Sequence, residues 1–180
     1  MNTRLSFPVI ARLASLQAAF LGLFASSYLL YAYVSHTPIV CGSSSGCEIV
    51  RLSQWAYVFG TIPRPLLGVA FYAAVLVLLL VRVALRTYPR ALWRLLQVLI
   101  VIGVVESAIL FFVQWREIGA FCLWCLISAV ASLELAFCAF FDRSLEAATP
   151  DERSKELRLM VYAMGGLTVV LLAGLWLLLN

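Results

Sequence analysis

Five apolar runs, at about 10–34, 66–86, 91–115, 121–141 and 159–179, constrain this chain more than anything else in it. Each is near or above the roughly 20 residues that an α-helix needs to cross a bilayer. In lipid every backbone N–H and C=O must find a partner inside the protein, so runs of this kind fold as helices. Composition agrees: 64% of the 180 residues are hydrophobic and 12% are charged, against roughly 25% charged in a soluble domain. The expected fold is an all-α integral membrane protein of one domain, residues 1–180. Four transmembrane helices form a bundle core, and a fifth follows at the C-terminus. A polar loop at 35–64, turns at 87–90 and 115–119, and a charged linker at 142–158 separate the runs. The first run is longer than the apolar part of a signal peptide and no A-x-A site follows it, so no cleaved leader is expected.

The Lys and Arg residues set an expected orientation. With the N-terminus cytoplasmic, Arg4, Arg12, Arg82, Arg86, Arg90, Arg94, Arg143, Arg153, Lys155 and Arg158 lie inside. Arg51, Arg64 and Arg116 lie outside. The basic residues fall at helix ends and form no stripe, which argues against a nucleic-acid partner. The 35–64 loop and the 116–120 turn then face outward, in a bacterium into the periplasm. That brings Cys41, Cys47, Cys122 and Cys125 to a compartment where disulfides persist.

Cys122 and Cys125 stand three residues apart at the head of the fourth run. That spacing places both sulfurs on one helix face, within bridging reach. Unpaired N–H groups and the positive end of the helix dipole favour a thiolate there. Redox chemistry, half of a metal site, and plain packing all fit this pair taken alone. Cys41 and Cys47 close a short, flexible, exposed ring, Cys41-Gly-Ser-Ser-Ser-Gly-Cys47. A short ring gains little stability from a disulfide, and exposed disulfides tend to be labile or catalytic. A loop staple is the plainer reading, and four cysteines also permit zinc.

Other residues carry weaker signals. Glu106 and Glu134 sit inside the third and fourth runs, where an ionisable group suggests function. At 1.5 Å rise per residue they lie roughly 15 and 20 Å below the outer helix ends, close enough to touch. A structural role, hydrogen-bonded to Ser107 or Ser132, competes with proton delivery. His36 reads as a solvated loop residue and Cys138 as a small packing residue. Ala14, Ala18, Gly22 and Ser26 form a small-residue stripe that lets the first helix pack closely.

Several elements of 41–129 occur in a recognisable order. After Cys41 and Cys47 come Val50, Ser53 and Trp55, then Gly60-Thr61-Ile62-Pro63. Gly68, Phe71 and Tyr72 open the second run, and Gly119-Ala120-Phe121-Cys122-Leu123-Trp124-Cys125 opens the fourth. In these residues the chain resembles the vitamin K epoxide reductase family, in its bacterial, DsbB-like branch. The resemblance implies a four-helix bundle holding a quinone, ubiquinone or menaquinone, beside the C-x-x-C. It implies that Cys41 is attacked by a periplasmic thioredoxin-fold (DsbA-like) partner, that Cys47 relays to Cys122, and that Cys125 faces the quinone. Ser53, Trp55, Arg64, Gly68, Phe71, Tyr72 and Ala129 fall at the quinone site by the same likeness. A short helix from about Ser53 to Phe59 would cap it. The chain departs from the family twice: Arg64 stands where many members have Asn, and Ala129 where animal members have Tyr.

The implied activity is a quinone-dependent thiol–disulfide oxidoreductase of the bacterial inner membrane, passing disulfides to a separate partner. The other reading is a transmembrane thiol relay or a non-enzymatic membrane assembly subunit. A relay would want cysteines within the spans, and only Cys138 lies toward the cytoplasmic side.

Overall fold

The computed structural model describes residues 7–41, 45–85 and 89–141. Its order is α1 (Phe7–Ser35), α2 (Gly46–Leu52), a 3-10 turn (Gln54–Ala56), β1 (Tyr57–Val58), β2 (Ile62–Pro63), α3 (Arg64–Ala84), α4 (Arg90–Val113) and α5 (Leu123–Phe141). Four long helices therefore run up and down, within a few residues of the expected bounds. Three of them are long and apolar enough to cross a membrane, namely Ala11–Ser35, Arg64–Ala84 and Arg90–Ile118. The apolar stretch of α5, Leu123–Ala139, is shorter. The expected fifth span and the linker before it lie outside the described residues, as do residues 87 and 88 of the 87–90 turn.

Helices in lipid gain nothing from hiding apolar surface, so they associate through close contact and hydrogen bonds. The α1 stripe does this: Ala18, Ala19, Ala25 and Ser26 are buried. A Cβ on Gly22 would stand 2.1 Å from the Tyr72 ring, and one on Gly68 would stand 2.5 Å from Ser26 Oγ. Each glycine thus lets α1 and α3 approach to contact. Large residues such as Val77, Val98, Ile102, Val105 and Phe137 point outward instead, as expected of a surface whose solvent is hydrocarbon. α1 packs along both α3 and α5, α4 packs along α5, and α3 meets α4 only sparingly.

The connection between α1 and α3 departs from expectation. The short helix lies at Gly46–Leu52, ahead of the expected 53–59, where the chain forms the 3-10 turn and a two-stranded hairpin. Val58 pairs with Ile62 and Tyr57 with Pro63. Phe59 and Gly60 both take positive φ, 53° and 73°, and the Thr61 N–H closes onto the Val58 carbonyl at 3.3 Å. This is a primed-type hairpin turn, which explains the glycine of Gly-x-x-Pro. Pro63 then caps α3, with Pro65 in its first turn. The 115–119 turn is a further correction. Helix α4 continues as one π turn over Gln114–Ile118 and stops at Gly119, whose φ of 68° ends the helix in the left-handed region.

Candidate active site

The C-x-x-C spacing resolves into a helix cap. The Leu126 N–H donates to the Cys122 carbonyl at 3.0 Å, so Cys122 is the residue that starts α5. Its side chain does what a serine or aspartate does at that position: the Cys125 N–H donates to Cys122 Sγ at 3.4 Å. A sulfur holding negative charge gains from that bond and from the helix dipole. Of the two cysteines at the head of this helix, Cys122 therefore holds the thiolate-favouring position. The Cys122 N–H is satisfied as well, donating to Gln114 Oε1 at 2.7 Å. Gln114 is buried, and its Nε2 donates to the Leu110 carbonyl at 3.3 Å.

The loop cysteines form a disulfide, Cys41–Cys47, with Cα atoms 5.9 Å apart. They were expected in an exposed ring, yet both are buried, Cys41 at 7% exposure and Cys47 at 1%. Their neighbours explain this. The indole N–H of Trp124 donates to the Val40 carbonyl at 2.7 Å, and the Val40 N–H donates to Tyr28 Oη at 2.9 Å. The two rings pack against each other at a 42° tilt, with centroids 4.5 Å apart. Helices α1 and α5 thus grip both polar groups of the residue before Cys41. On the other side, a Cβ on Gly46 would stand 2.2 Å from the Phe121 carbonyl oxygen. Only glycine lets α2 lie against the chain just ahead of Cys122. Arg51 fastens the same helix to α1 by donating to the Ala32 carbonyl at 3.3 Å, and pairs with Glu48. Cys41, Cys47 and Cys122 share one buried apolar cluster, and Cys125 is half-buried at its edge.

Cys125 faces the other way. It lines a cavity of about 470 Å³ bounded by α1, α3, α4, α5 and the 3-10 turn. The walls are mostly apolar, with a few convergent polar groups, as in small-molecule sites. Of the residues expected at a quinone, Trp55, Arg64, Gly68, Phe71, Tyr72 and Ala129 all line it. Ser53 does not. It ends α2, and its hydroxyl donates back to the Val50 carbonyl at 2.7 Å. Phe71 rests where a Cβ on Gly103 of α4 would meet its ring at 2.3 Å. Tyr72 is almost fully buried, and its hydroxyl donates to the Ser128 carbonyl at 2.6 Å, with Ser132 Oγ at 2.8 Å. It knits α3 to α5 along the cavity wall.

Arg64 is more committed than its sequence position suggested. Its Nε donates to the Trp55 carbonyl at 2.7 Å, and its Nη1 pairs with Glu106 of α4. Glu106 therefore meets neither Glu134 nor the serines. Ser107 instead donates to Ser132 at 3.3 Å, and Glu134 is exposed on α5. His36 is exposed, as expected, with the left-handed φ of a residue just past a helix end. Cys138 is buried near the far end of α5. Among the described residues no cluster of His, Cys, Asp and Glu could hold a metal ion.

Two dithiol pairs at one end of a helical bundle, with a cavity behind the second, frame the comparison with known proteins. The sequence matches the vitamin K epoxide reductase family over residues 13–140. This chain belongs to that family. No curated protein matches it. Membership in the vitamin K epoxide reductase family implies a multi-pass membrane protein with thiol–disulfide oxidoreductase chemistry. Sequence reasoning missed Tyr28, Gln114 and Trp124, which hold the two cysteine pairs in place. A buried Gln at the end of an apolar helix, and a Trp inside the C-x-x-C, were the available signals.

Proposed function

We propose that this protein makes disulfides at the outer face of the bacterial inner membrane and disposes of the electrons into a quinone, ubiquinone or menaquinone. The observation that carries the reading is the division of labour inside the C-x-x-C. Cys122 is buried with Cys41 and Cys47, while Cys125 opens into the cavity. The cavity suits a quinone: it takes a flat apolar ring, and its polar groups come from Arg64, Glu106 and the Tyr72 hydroxyl cluster. Sparse contact between α3 and α4 suits an isoprenoid tail leaving toward lipid.

In this reading a thiolate of a reduced thioredoxin-fold protein attacks Cys41, the more exposed of the loop pair. The Cys41–Cys47 bond breaks and Cys47 leaves as a thiolate. With the second pair oxidised, Cys47 attacks Cys122, and Cys125 leaves as a thiolate toward the cavity. The second partner thiol then attacks the mixed disulfide at Cys41, and Cys41 displaces Cys122 from Cys47. The partner departs as a disulfide and the loop pair is restored. Two electrons and two protons then rest on Cys122 and Cys125. A bound quinone supplies the two-electron acceptor that returns this pair to a disulfide, leaving as quinol.

The test is turnover with a reduced thioredoxin-fold protein and decylubiquinone. Serine at any of Cys41, Cys47, Cys122 or Cys125 should abolish it, and Cys138→Ser should not. The Cys41→Ser variant should trap a Cys47–Cys122 disulfide, visible by non-reducing peptide mapping. A dominant Cys47–Cys125 link would reverse the two roles.

A further inference from the structure

Reducing a quinone takes two protons as well as two electrons, and the protons held by Cys122 and Cys125 need a carrier to the ring. The cavity wall contains one carboxylate among the described residues, Glu106. The other titratable or charged groups on that wall are Arg64 and Tyr72 from α3, Tyr33 from α1 and Cys125 from α5. The Tyr72 hydroxyl is engaged with Ser128 and Ser132. Glu106 keeps 39% of its side chain exposed, whereas Arg64, its ion-pair partner, keeps 17%. Glu106 therefore stands on the cavity wall with part of its carboxylate uncovered by protein. Arg64 is the first residue of α3, so the ion pair ties Glu106 of α4 to the start of that helix. The same arginine holds the Trp55 carbonyl of the 3-10 turn, so one guanidinium joins the lid, α3 and α4.

We infer that Glu106 is the acid that carries protons to the quinone, and that Arg64 is the positioning residue that holds it at the cavity edge. This rests on the quinone reading above. As the Cys122–Cys125 bond forms, two electrons pass to the ring and the two thiol protons are released into the cavity that Cys125 lines. Glu106 takes up one of these protons and passes it to a ring oxygen, then carries the second in the same way. The balance is one dithiol and one quinone giving one disulfide and one quinol.

The experiment is a single turnover in detergent, with the cysteines reduced by dithiothreitol and decylubiquinone as acceptor, read by quinone absorbance. Glu106→Gln should slow quinol formation by roughly 10²-fold, the range of general acid catalysis. Glu106→Asp should restore the rate in large part. Because Glu106→Gln leaves Arg64 without its ion-pair partner, the double variant R64Q/E106Q provides a second form. Its binding of decylubiquinone, read by tryptophan quenching, establishes that the cavity is intact. A readout apart from turnover is the infrared difference spectrum of quinone reduction. A protonated-carboxyl band should be present in wild type and in Glu134→Gln and absent in Glu106→Gln. A wild-type rate in either glutamine variant would overturn the role of Glu106 while leaving the quinone reading standing. Wild-type protein that neither binds nor reduces decylubiquinone would overturn both.

Discussion

At the residue scale, the relay depends on one missing side chain. Gly46 precedes Cys47 and faces the Phe121 carbonyl, and Phe121 precedes Cys122. The closest approach of the two redox pairs is therefore a backbone contact. A methyl group there would overlap an oxygen that cannot move without carrying Cys122 with it. Gly46→Ala should push α2 outward and slow transfer from Cys47 to Cys122 by at least roughly 10-fold, equivalent to about 1.4 kcal/mol. Trapping of the Cys47–Cys122 disulfide in a Cys41→Ser background measures this directly. Trapping as fast as with glycine would show that α2 shifts without consequence. Gln114 acts on the other partner, holding the Cys122 N–H so that the residue stays at the start of α5.

At the scale of elements, the loop carrying Cys41 is held by helices far from it in sequence. Tyr28 and Trp124 satisfy the N–H and the C=O of Val40, and their rings pack against each other. Each bond is worth about 0.5–1.5 kcal/mol net, with a larger cost when a buried partner is left unpaired. Tyr28→Phe keeps the ring contact and removes only the acceptor. The Val40 amide should then exchange with solvent up to roughly 10-fold faster, since 1.4 kcal/mol is a factor of ten. Trp124→Phe should loosen the same segment through the carbonyl. Hydrogen exchange at Val40 decides the point, and an unchanged rate in Tyr28→Phe would mean that the apolar cluster alone holds the loop.

At the scale of the whole molecule, the sparse packing of α3 against α4 leaves room for the cavity. A ligand that binds only the folded bundle would fill it and stabilise the fold. At a concentration 100 times its Kd that amounts to about 2.7 kcal/mol. Ala129, on the cavity wall with Cys125, offers a way to separate the two ends of the relay. Ala129→Trp should occupy the cavity, weaken decylubiquinone binding by more than roughly 10-fold, and remove its thermal stabilisation. Reduction of the Cys41–Cys47 disulfide by dithiothreitol should continue, because that pair does not line the cavity. If Ala129→Trp binds decylubiquinone as tightly as the wild-type chain, the quinone does not occupy this cavity.

The sequence alone determined the helices and the two cysteine pairs, because hydropathy, helix period and spacing are local properties. A run of apolar residues is a membrane helix whatever its neighbours, and a cysteine three residues after another shares its helix face. The family resemblance likewise rests on residues read in order, and the match over 13–140 bears it out. What the tertiary structure decided is which groups meet across the bundle. Arg64 reaches Glu106 over 42 residues of chain, and Trp124 reaches Val40 over 84. Neither pairing leaves a trace in local composition, since each residue alone reads as an interfacial arginine or a core aromatic. The short helix fell earlier than expected because Gly46 can lie against the Phe121 carbonyl. Ser53, expected at the cavity, turned back to end that helix. The family resemblance had already implied which cysteine of the second pair meets the loop, but only the packed helices bury Cys122 with Cys41 and Cys47 and set Cys125 on the cavity wall.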